Sequence, residues 1–314
     1  MSADGGAGVA DDAELKPVAA GVWAWIQGDG TWWVNNAGLI AGDEGDIIVD
    51  TCATDRRTAA FLRAIERARG QLDVRFAVNT HLHGDHTYGN SLLPDATSIV
   101  GHRAMRAGLA EDPIIDGCPP VWSPVPDWGA VSKRLPTITY ASQLTLHSGD
   151  RAVELHHPGY PAHTPGDTVA WLPDERVLFT GDLLFHGLTP LVFMGSVDGA
   201  LDVLDWISEF GAEYIVPGHG PMITAGQLPN VLAQHERYYR FVLHVARQAQ
   251  SSGHSPLEAA READLGEFAA WADAERLVLN LHRAYADAQG SDIDIMAAFE
   301  DALTYHGGPL PTQV

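Results

Sequence analysis

Cysteine, basic charge and long apolar runs are what this chain has least of. Its 314 residues include two cysteines, Cys52 and Cys118. That rules out a disulfide framework, and both thiols read as small buried apolar side chains. Lys and Arg number 19 against 41 Asp and Glu, a formal net charge of −22. Nucleic acid is thereby disfavoured as a partner, because a phosphate backbone calls for clustered cations. An acidic protein partner is disfavoured on the same ground. No apolar stretch approaches the roughly 18 residues of a membrane span, so no membrane partner is expected. The Gly-, Ala- and Asp-rich start, Met1 to Lys16, lacks the basic opening and apolar centre of a secretion signal. Residues 1–17 read as a disordered lead and the protein as cytoplasmic.

What the chain does have is histidine in an unusual place. Asn79-Thr-His-Leu-His-Gly-Asp-His86 packs three imidazoles and a carboxylate into six residues, directly after the apolar run Val74 to Val78. That run reads as a buried strand. No packing face needs this composition, whereas imidazole nitrogen and carboxylate oxygen are what a divalent ion such as zinc accepts. His81 and His83, two apart, point the same way in extended chain. Gly84 lets the chain turn and aim Asp85 and His86 at a neighbouring point. Two ions are therefore expected, one at each pair.

Around this cluster, strands and helices alternate to about residue 225. Gly21 to Ile26 and Trp32 to Ile40 read as strands joined by a turn at Gly28-Asp29-Gly30. Asp46 to Thr51 is a buried strand ending in the carboxylate of Asp50, and Thr58 to Arg69 an amphipathic helix. Pro113 to Pro136 has no period and carries Trp122 and Trp128, which fits a substrate-covering loop or a loop pinned by its aromatics. Hairpins follow at 141–157 and 169–180, then a helix at 200–210 and a strand at 213–216. From Asn230 the period is helical, with a capping box at Ser255-Pro-Leu-Glu258 and helices over 267–288 and 293–305. The expected divisions are a catalytic domain over 18–225 and a helical extension over 226–314 packed on it, as a cap or an oligomerisation element.

Three more polar residues stand close to glycines near strand ends: His163 in Pro-Ala-His-Thr-Pro-Gly-Asp167, Asp182 in Thr-Gly-Asp, and His219 in Pro-Gly-His-Gly. With them, two shells are complete. His81, His83 and His163 serve one ion, Asp85, His86 and His219 the other, and Asp182 bridges both with its two oxygens. Asp50 is expected behind the ligands, holding one of them or the turn.

His-Leu-His-Gly-Asp-His86, then His163, Thr-Gly-Asp182 and Pro-Gly-His219-Gly, resembles the metallo-β-lactamase superfamily over about residues 18–225. The resemblance implies an α+β fold, an αββα sandwich with a dinuclear centre on one edge. Aspartate at 182 is similar to glyoxalase II, the lactonases and the thioesterases, whereas the antibiotic-cleaving members carry Cys or Ser there. A narrower resemblance runs through Trp171 to Asp182, Thr189 to Ser196, Asp273 to Arg283 and Tyr305 to Pro311. These stretches look like the cyclase-thioesterases of aromatic polyketide biosynthesis, of the actinorhodin second-ring type.

That resemblance implies two zinc ions, with iron or manganese accepting the same donors. They would activate water against the carbonyl of a small-molecule or carrier-bound polyketide thioester, with Asp85 and Asp182 as the catalytic carboxylates. Metal-stabilised enolate chemistry would allow ring closure as well. Trp32, Trp33, Trp122, Trp128, Phe185, His186, Leu188, Phe193 and Met194 are candidate substrate contacts. Arg56, Arg57 and Arg63, Arg103 and Arg106, or Lys133 and Arg134 could form a basic patch for an acidic carrier. A lactonase or glyoxalase II-like thioesterase is the alternative. An iron-bound oxidoreductase and a metal-stabilised binding module are the rivals from other classes. A homodimer is left open.

Overall fold

In a computed structural model, residues 13–28 and 30–314 are described. The strands are β1 (Glu14–Ala19), β2 (Val22–Ile26), β3 (Ala37–Ile40), β4 (Asp46–Val49), β5 (Val74–Val78), β6 (Ser98–His102), β7 (Trp122–Ser123), β8 (Ile138–Tyr140), β9 (Gln143–Ser148), β10 (Arg151–His156), β11 (Val169–Leu172), β12 (Val177–Phe185), β13 (Tyr214–His219), β14 (Ile223–Thr224) and β15 (Leu310–Pro311). The helices are α1 (Asp55–Arg69), α2 (Gly84–Thr87), α3 (Arg103–Glu111), α4 (Val197–Glu209), α5 (Leu228–Ser251), α6 (Pro256–Glu262), α7 (Arg276–Gln289) and α8 (Ile295–His306).

Side-chain alternation sorts the strands into layers, since successive strand residues point to opposite faces. On β2, Val22 and Ala24 face the interior between two sheets, while Trp25 faces the layer that holds Phe61, Leu62 and Ile65 of α1. Ile47 and Val49 on β4 repeat the pattern, with Ile48 on the helix side. In the second sheet Val177 and Phe179 of β12 meet the first sheet, and Leu178 and Leu184 meet α4, α5 and α7. The result is helix, sheet, sheet, helix. The first sheet runs β1-β2-β3-β4-β5-β6-β8 and the second β14-β13-β12-β11-β10-β9. This is the αββα arrangement that the motifs implied.

Local chemistry fixes the element ends. Thr54 caps α1 by accepting from Arg57 N at 3.2 Å, and Gly70 ends it in a left-handed turn, φ 76°. The expected capping box is present on α6: Ser255 Oγ accepts from Glu258 N, and Glu258 accepts from Ser255 N at 2.8 Å.

Several expectations need correcting. Residues 1–12 of the expected disordered lead (1–17), and Asp29 of the turn, lie outside the described residues. Glu14 to Pro17 of that lead are already strand, paired to β2 in register with Ile26 to Trp23. The expected strand Trp32–Ile40 is strand only from Ala37. Trp33 sits at φ 68°, which breaks extended chain, and Asn36 donates to Pro217 O and Gly220 O. Those bonds fasten the segment across the second sheet. The expected helix over 267–288 begins only at Arg276, after a break at Asp273, φ 56°. Cys52 is buried as expected, but Cys118 is only partly so. No helix among the described residues is long and apolar enough to cross a membrane.

Candidate metal centre and substrate cavity

Four segments deliver the seven candidate ligands to one edge of the sandwich. The loop after β5 brings His81, His83, Asp85 and His86; the β10–β11 loop brings His163; β12 brings Asp182; β13 ends on His219. Close approach there depends on glycine. A Cβ on Gly218 would collide with Asp182 Oδ1, and one on Gly181, φ 50°, would lie 2.6 Å from the Thr80 side chain.

The ligand atoms form two groups. In one, His81, His83, His163 and Asp182 each offer an atom within 4.8 Å of the others; in the second, Asp85, His86 and His219 do the same. His83 Nδ1 lies 3.1 Å from His81 Nε2 and 2.9 Å from His163 Nε2. Asp182 Oδ2 lies 3.4 Å from His163 Nε2 and 3.4 Å from His219 Nε2, and its Oδ1 lies 3.2 Å from His86 Nε2. His219 Nε2 is 3.2 Å from Asp85 Oδ2. Asp182 therefore stands between the groups. Tetrahedral zinc with bonds of about 2.0–2.1 Å places its ligand atoms about 3.3 Å apart, so these spacings fit cations at both positions. Two buried atoms agree: His86 Nε2 and Asp182 Oδ1 face each other at 3.2 Å without hydrogen-bond geometry and have no other partner, a costly condition that a metal would relieve.

Each imidazole is aimed by its other nitrogen. His163 donates from Nδ1 to Leu191 O at 2.6 Å, and His219 to Gly30 O at 2.8 Å. His86 Nδ1 donates to Asp50 Oδ2 at 2.8 Å. Asp50 also accepts from Thr80 N and Thr80 Oγ1, both at 2.7 Å, and the Thr80 oxygen accepts from His81 Nδ1 at 3.0 Å. One carboxylate thus orients a histidine of each group, as expected of Asp50; its φ of 62° is the local backbone cost. His83 differs: its Nε2 faces Met194 Sδ at 3.3 Å. Asp167 was missed, although its Thr-x-x-Asp spacing was readable. It accepts from His163 N, Thr164 N and Thr164 Oγ1 and so shapes the His163 loop.

Electrostatics separate the two groups. Burial holds His81 well below, and His83 below, the usual imidazole value, and takes His163 down to about 3. Burial acts against charge on His86 and His219 too, but the carboxylates outweigh it. Asp182, Asp85 and Asp50 lift His86 well above its usual value, and Asp182 and Asp85 take His219 up to about 9. Burial likewise pushes Asp182 up, and the imidazoles of His219 and His86 hold it well below the carboxylate range. In the metal-free chain, protons on His86 and His219 therefore balance the two aspartates.

A cavity of about 640 Å³ opens onto the cluster. Its lining includes His83, Asp85, Asp182 and His219, and six of the expected contacts: Trp32, Trp33, Trp122, Phe185, Phe193 and Met194. Phe193 stacks on His83 with centroids 5.5 Å apart, and Phe185 on His219 at 5.3 Å. His186, expected as a contact, is not in the lining; its Nδ1 bonds Pro221 O at 3.0 Å. Trp128 and Leu188 lie in the core behind the wall, Trp128 packed on Trp33 at 4.7 Å.

The sequence reading missed Tyr88, which donates to Asp112 Oδ2 at 2.7 Å, and the helical tail's share of the lining: Arg276, Ile295, Met296 and Phe299. Of the seven basic residues expected to form patches for a carrier, Arg56, Arg63, Arg103 and Arg106 are exposed, and three are tied up. Arg57 is fully buried, Lys133 donates to Ala110 O and Asp112 O, and Arg134 donates to the carbonyls of Asn90, Leu93 and Thr97.

Residues 30–219 match the family model of the metallo-beta-lactamase superfamily. The chain belongs to that superfamily. It is 31% identical over 176 residues to the 2,4-dinitroanisole O-demethylase subunit alpha of Nocardioides sp. (strain JS1661), a match covering 55% of this chain and 47% of that one. The chain thus spans about half the length of that relative. Acyl-coenzyme A thioesterase MBLAC2 of Bos taurus is 26% identical over 224 residues, 61% of this chain and 78% of that one. Among solved structures, the stereoselective inverting sec-alkylsulfatase Pisa1 from Pseudomonas sp. aligns with TM-score 0.68 at 18% identity, covering 91% of this chain and 51% of that one. That likeness is one of fold. Its coverage is too large to leave out the helical tail. Within that superfamily the chain carries His and Asp clusters suited to two metals.

Proposed function

We propose that the protein is a dinuclear zinc hydrolase acting as a cyclase-thioesterase on an aromatic polyketide thioester. His81, His83 and His163 would hold one ion, Asp85, His86 and His219 the other, with Asp182 shared. The catalytic core would span 18–225, with the extension 226–314 closing the substrate cavity. The observation that carries the reading is one cavity with ligand-type His and Asp side chains in its lining and a wall of Trp32, Trp33, Trp122 and Phe193. Such a wall suits a flat, apolar acyl group.

Two bound divalent ions supply Lewis acidity at a carbonyl oxygen and a water that ionises near neutral pH. The chain does the rest. Asp85, in the lining, can accept a proton and pass it to the departing thiol, and Asp182 fixes the spacing of the two groups. The indoles keep bulk water off the reacting carbonyl. Oxygen in place of sulfur at position 182 fits the thioester-cleaving members of the resemblance. The dinitroanisole demethylase relative acts on an aromatic ether, which supports an aromatic substrate. With Arg57, Lys133 and Arg134 committed internally, a small-molecule thioester suits this surface better than a docked acidic carrier.

The MBLAC2 relatives favour a second reading, a general acyl-coenzyme A thioesterase with the same centre. The test is to reconstitute stripped protein with zinc, count bound metal, and follow thiol release from aromatic polyketide thioesters, acyl-coenzyme A esters and lactones. Two zincs bound and fastest release from the aromatic thioester are expected. Fastest release from simple acyl-coenzyme A would establish the second reading. No thiol release from any thioester, with both ions bound, would end both.

A further inference from the structure

Arg276, at the start of α7, puts charge where charge is expensive. It lines the cavity yet is only 1% exposed. Its Nη1 donates to Thr189 O at 2.9 Å, and its Nη2 lies 2.7 Å from Asp273 Oδ2. A guanidinium has five N–H donors, and Nε has no acceptor. The guanidinium carbon stands 4.6 Å over the Trp32 ring and 5.4 Å over the Phe185 ring. Phe185 in turn stacks on His219. One aromatic ring therefore separates this cation from the candidate metal ligands.

A purely structural role explains this poorly. A buried ion pair is commonly matched or bettered in stability by apolar side chains of the same volume. The segment that presents Arg276 is also strained: Asp273 is a non-glycine residue at φ 56°. It is pinned by Thr189 N donating to Ala272 O at 3.0 Å. Strain and a desolvated charge together hold a planar donor at the cavity wall. The flanking carboxylates, Asp273 and Glu275, are not in the lining, and Glu275 is occupied by Trp32 Nε1. Among the described residues Arg276 is the one Lys or Arg in that lining, whose other charged residues outside the metal cluster are Glu111 and Asp112.

We propose that Arg276 is an anion-binding subsite for the acyl group, taking an enolate, phenolate or carboxylate oxygen remote from the scissile carbonyl while the adjoining carbon skeleton lies against Trp32 and Phe185. The proposal rests on the thioester reading only for which end is cleaved. It narrows the substrate class to acyl groups that carry a second, electron-rich oxygen. A plain fatty acyl chain lacks the group that Arg276 is placed to bind.

The test uses metal-loaded protein and two N-acetylcysteamine thioesters of equal chain length, one ending in methyl and one in carboxylate. Wild type should show the lower KM for the carboxylated substrate. Arg276→Gln should raise that KM roughly ten- to hundred-fold, the size of a lost charge-assisted hydrogen bond, and leave the methyl-terminated KM within about twofold. Arg276→Lys should restore part of the loss. Because Arg276→Gln removes one half of a buried ion pair with Asp273, the double variant Asp273→Asn/Arg276→Gln serves as the control for folding and should show the same selective loss. No wild-type preference for the carboxylated ester, or an equal rise of both KM values in the variants, overturns the subsite. If wild type cleaves neither ester, calorimetry with the uncleavable thioether analogues decides the subsite independently of the thioesterase reading. Tighter wild-type binding of the carboxylated analogue, lost in the double variant, supports it; equal affinities overturn it.

Discussion

At the metal cluster, four of five imidazoles have the non-ligating nitrogen fixed to an oxygen: Leu191 O, Gly30 O, Asp50 Oδ2 or Thr80 Oγ1. Around the cavity wall the contacts are instead between aromatic rings, edge-on or tilted. Trp33 meets Trp122 at 5.1 Å and Trp128 at 4.7 Å, and Trp122 meets Phe299 at 5.5 Å. The first kind of contact is directional and fixes atoms for chemistry. The second is area-driven and fixes volume and shape, and it tolerates change in one partner better than a ligand does. His83 belongs to both regions, with Nδ1 in the cluster and Nε2 against Met194 of the wall.

The sharpest way to break this contrast is Asp182→Asn. Losing the shared carboxylate should remove several kcal/mol of transition-state stabilisation, roughly 10³-fold in kcat/KM, and leave fewer than two zincs bound by elemental analysis. Full metal content with undiminished turnover would mean that Asp182 does not link the groups. Trp33→Ala should do the reverse. Removing that buried ring is expected to cost about 3–5 kcal/mol of stability in denaturant unfolding, with the zinc count unchanged. A lost metal instead would show that wall and cluster are not separable.

A third probe lies behind the cluster. His235 on α5 donates from Nδ1 to Val231 O at 2.9 Å and accepts Phe185 N on Nε2 at 3.1 Å. It is therefore neutral, and burial takes it from 6.5 down to about 4. Its folded value is the depressed one. Its contribution is complete above about pH 6.5 and is lost as pH falls through about 4, roughly 3 kcal/mol in all. The fall in wild-type stability between pH 7 and 4 should be correspondingly shallower in His235→Asn. Equal slopes in the two proteins would refute the assignment. The smallest effect is expected from Asp50→Asn, which keeps the shape but weakens the acceptor for His86 and Thr80. A chelator competition should show zinc affinity reduced about 10–100-fold, and substrate KM should stay near wild type.

Legibility followed the range of the interactions. His81, His83, Asp85 and His86 were readable because they share one short loop after an apolar strand. His163, Asp182 and His219 were readable once the first four were known, since Asp182 and His219 each stand beside a glycine that permits close approach and His163 lies in a Pro- and Gly-bearing loop. Trp33 and Asp273 broke the expected strand and helix because each adopts positive φ for a tertiary purpose, which no propensity reports. His186 fits a substrate contact by its nearness to Asp182 in sequence, but the chain turns there and hands the cavity to Phe185.

The chain order of histidines, aspartates and glycines was enough to set the superfamily, the sandwich and the two groups of candidate ligands. Those features depend on residue chemistry and on short spacings that a strand end or a tight turn preserves. Tertiary structure alone decided the cavity: that α7 and α8 bring Arg276, Ile295, Met296 and Phe299 to it, and that Leu310–Pro311 pairs with Trp122–Ser123 to hold one wall in place. Those contacts join residues far apart in the chain through packing, and periodicity carries the face of a helix but not the surface it will meet.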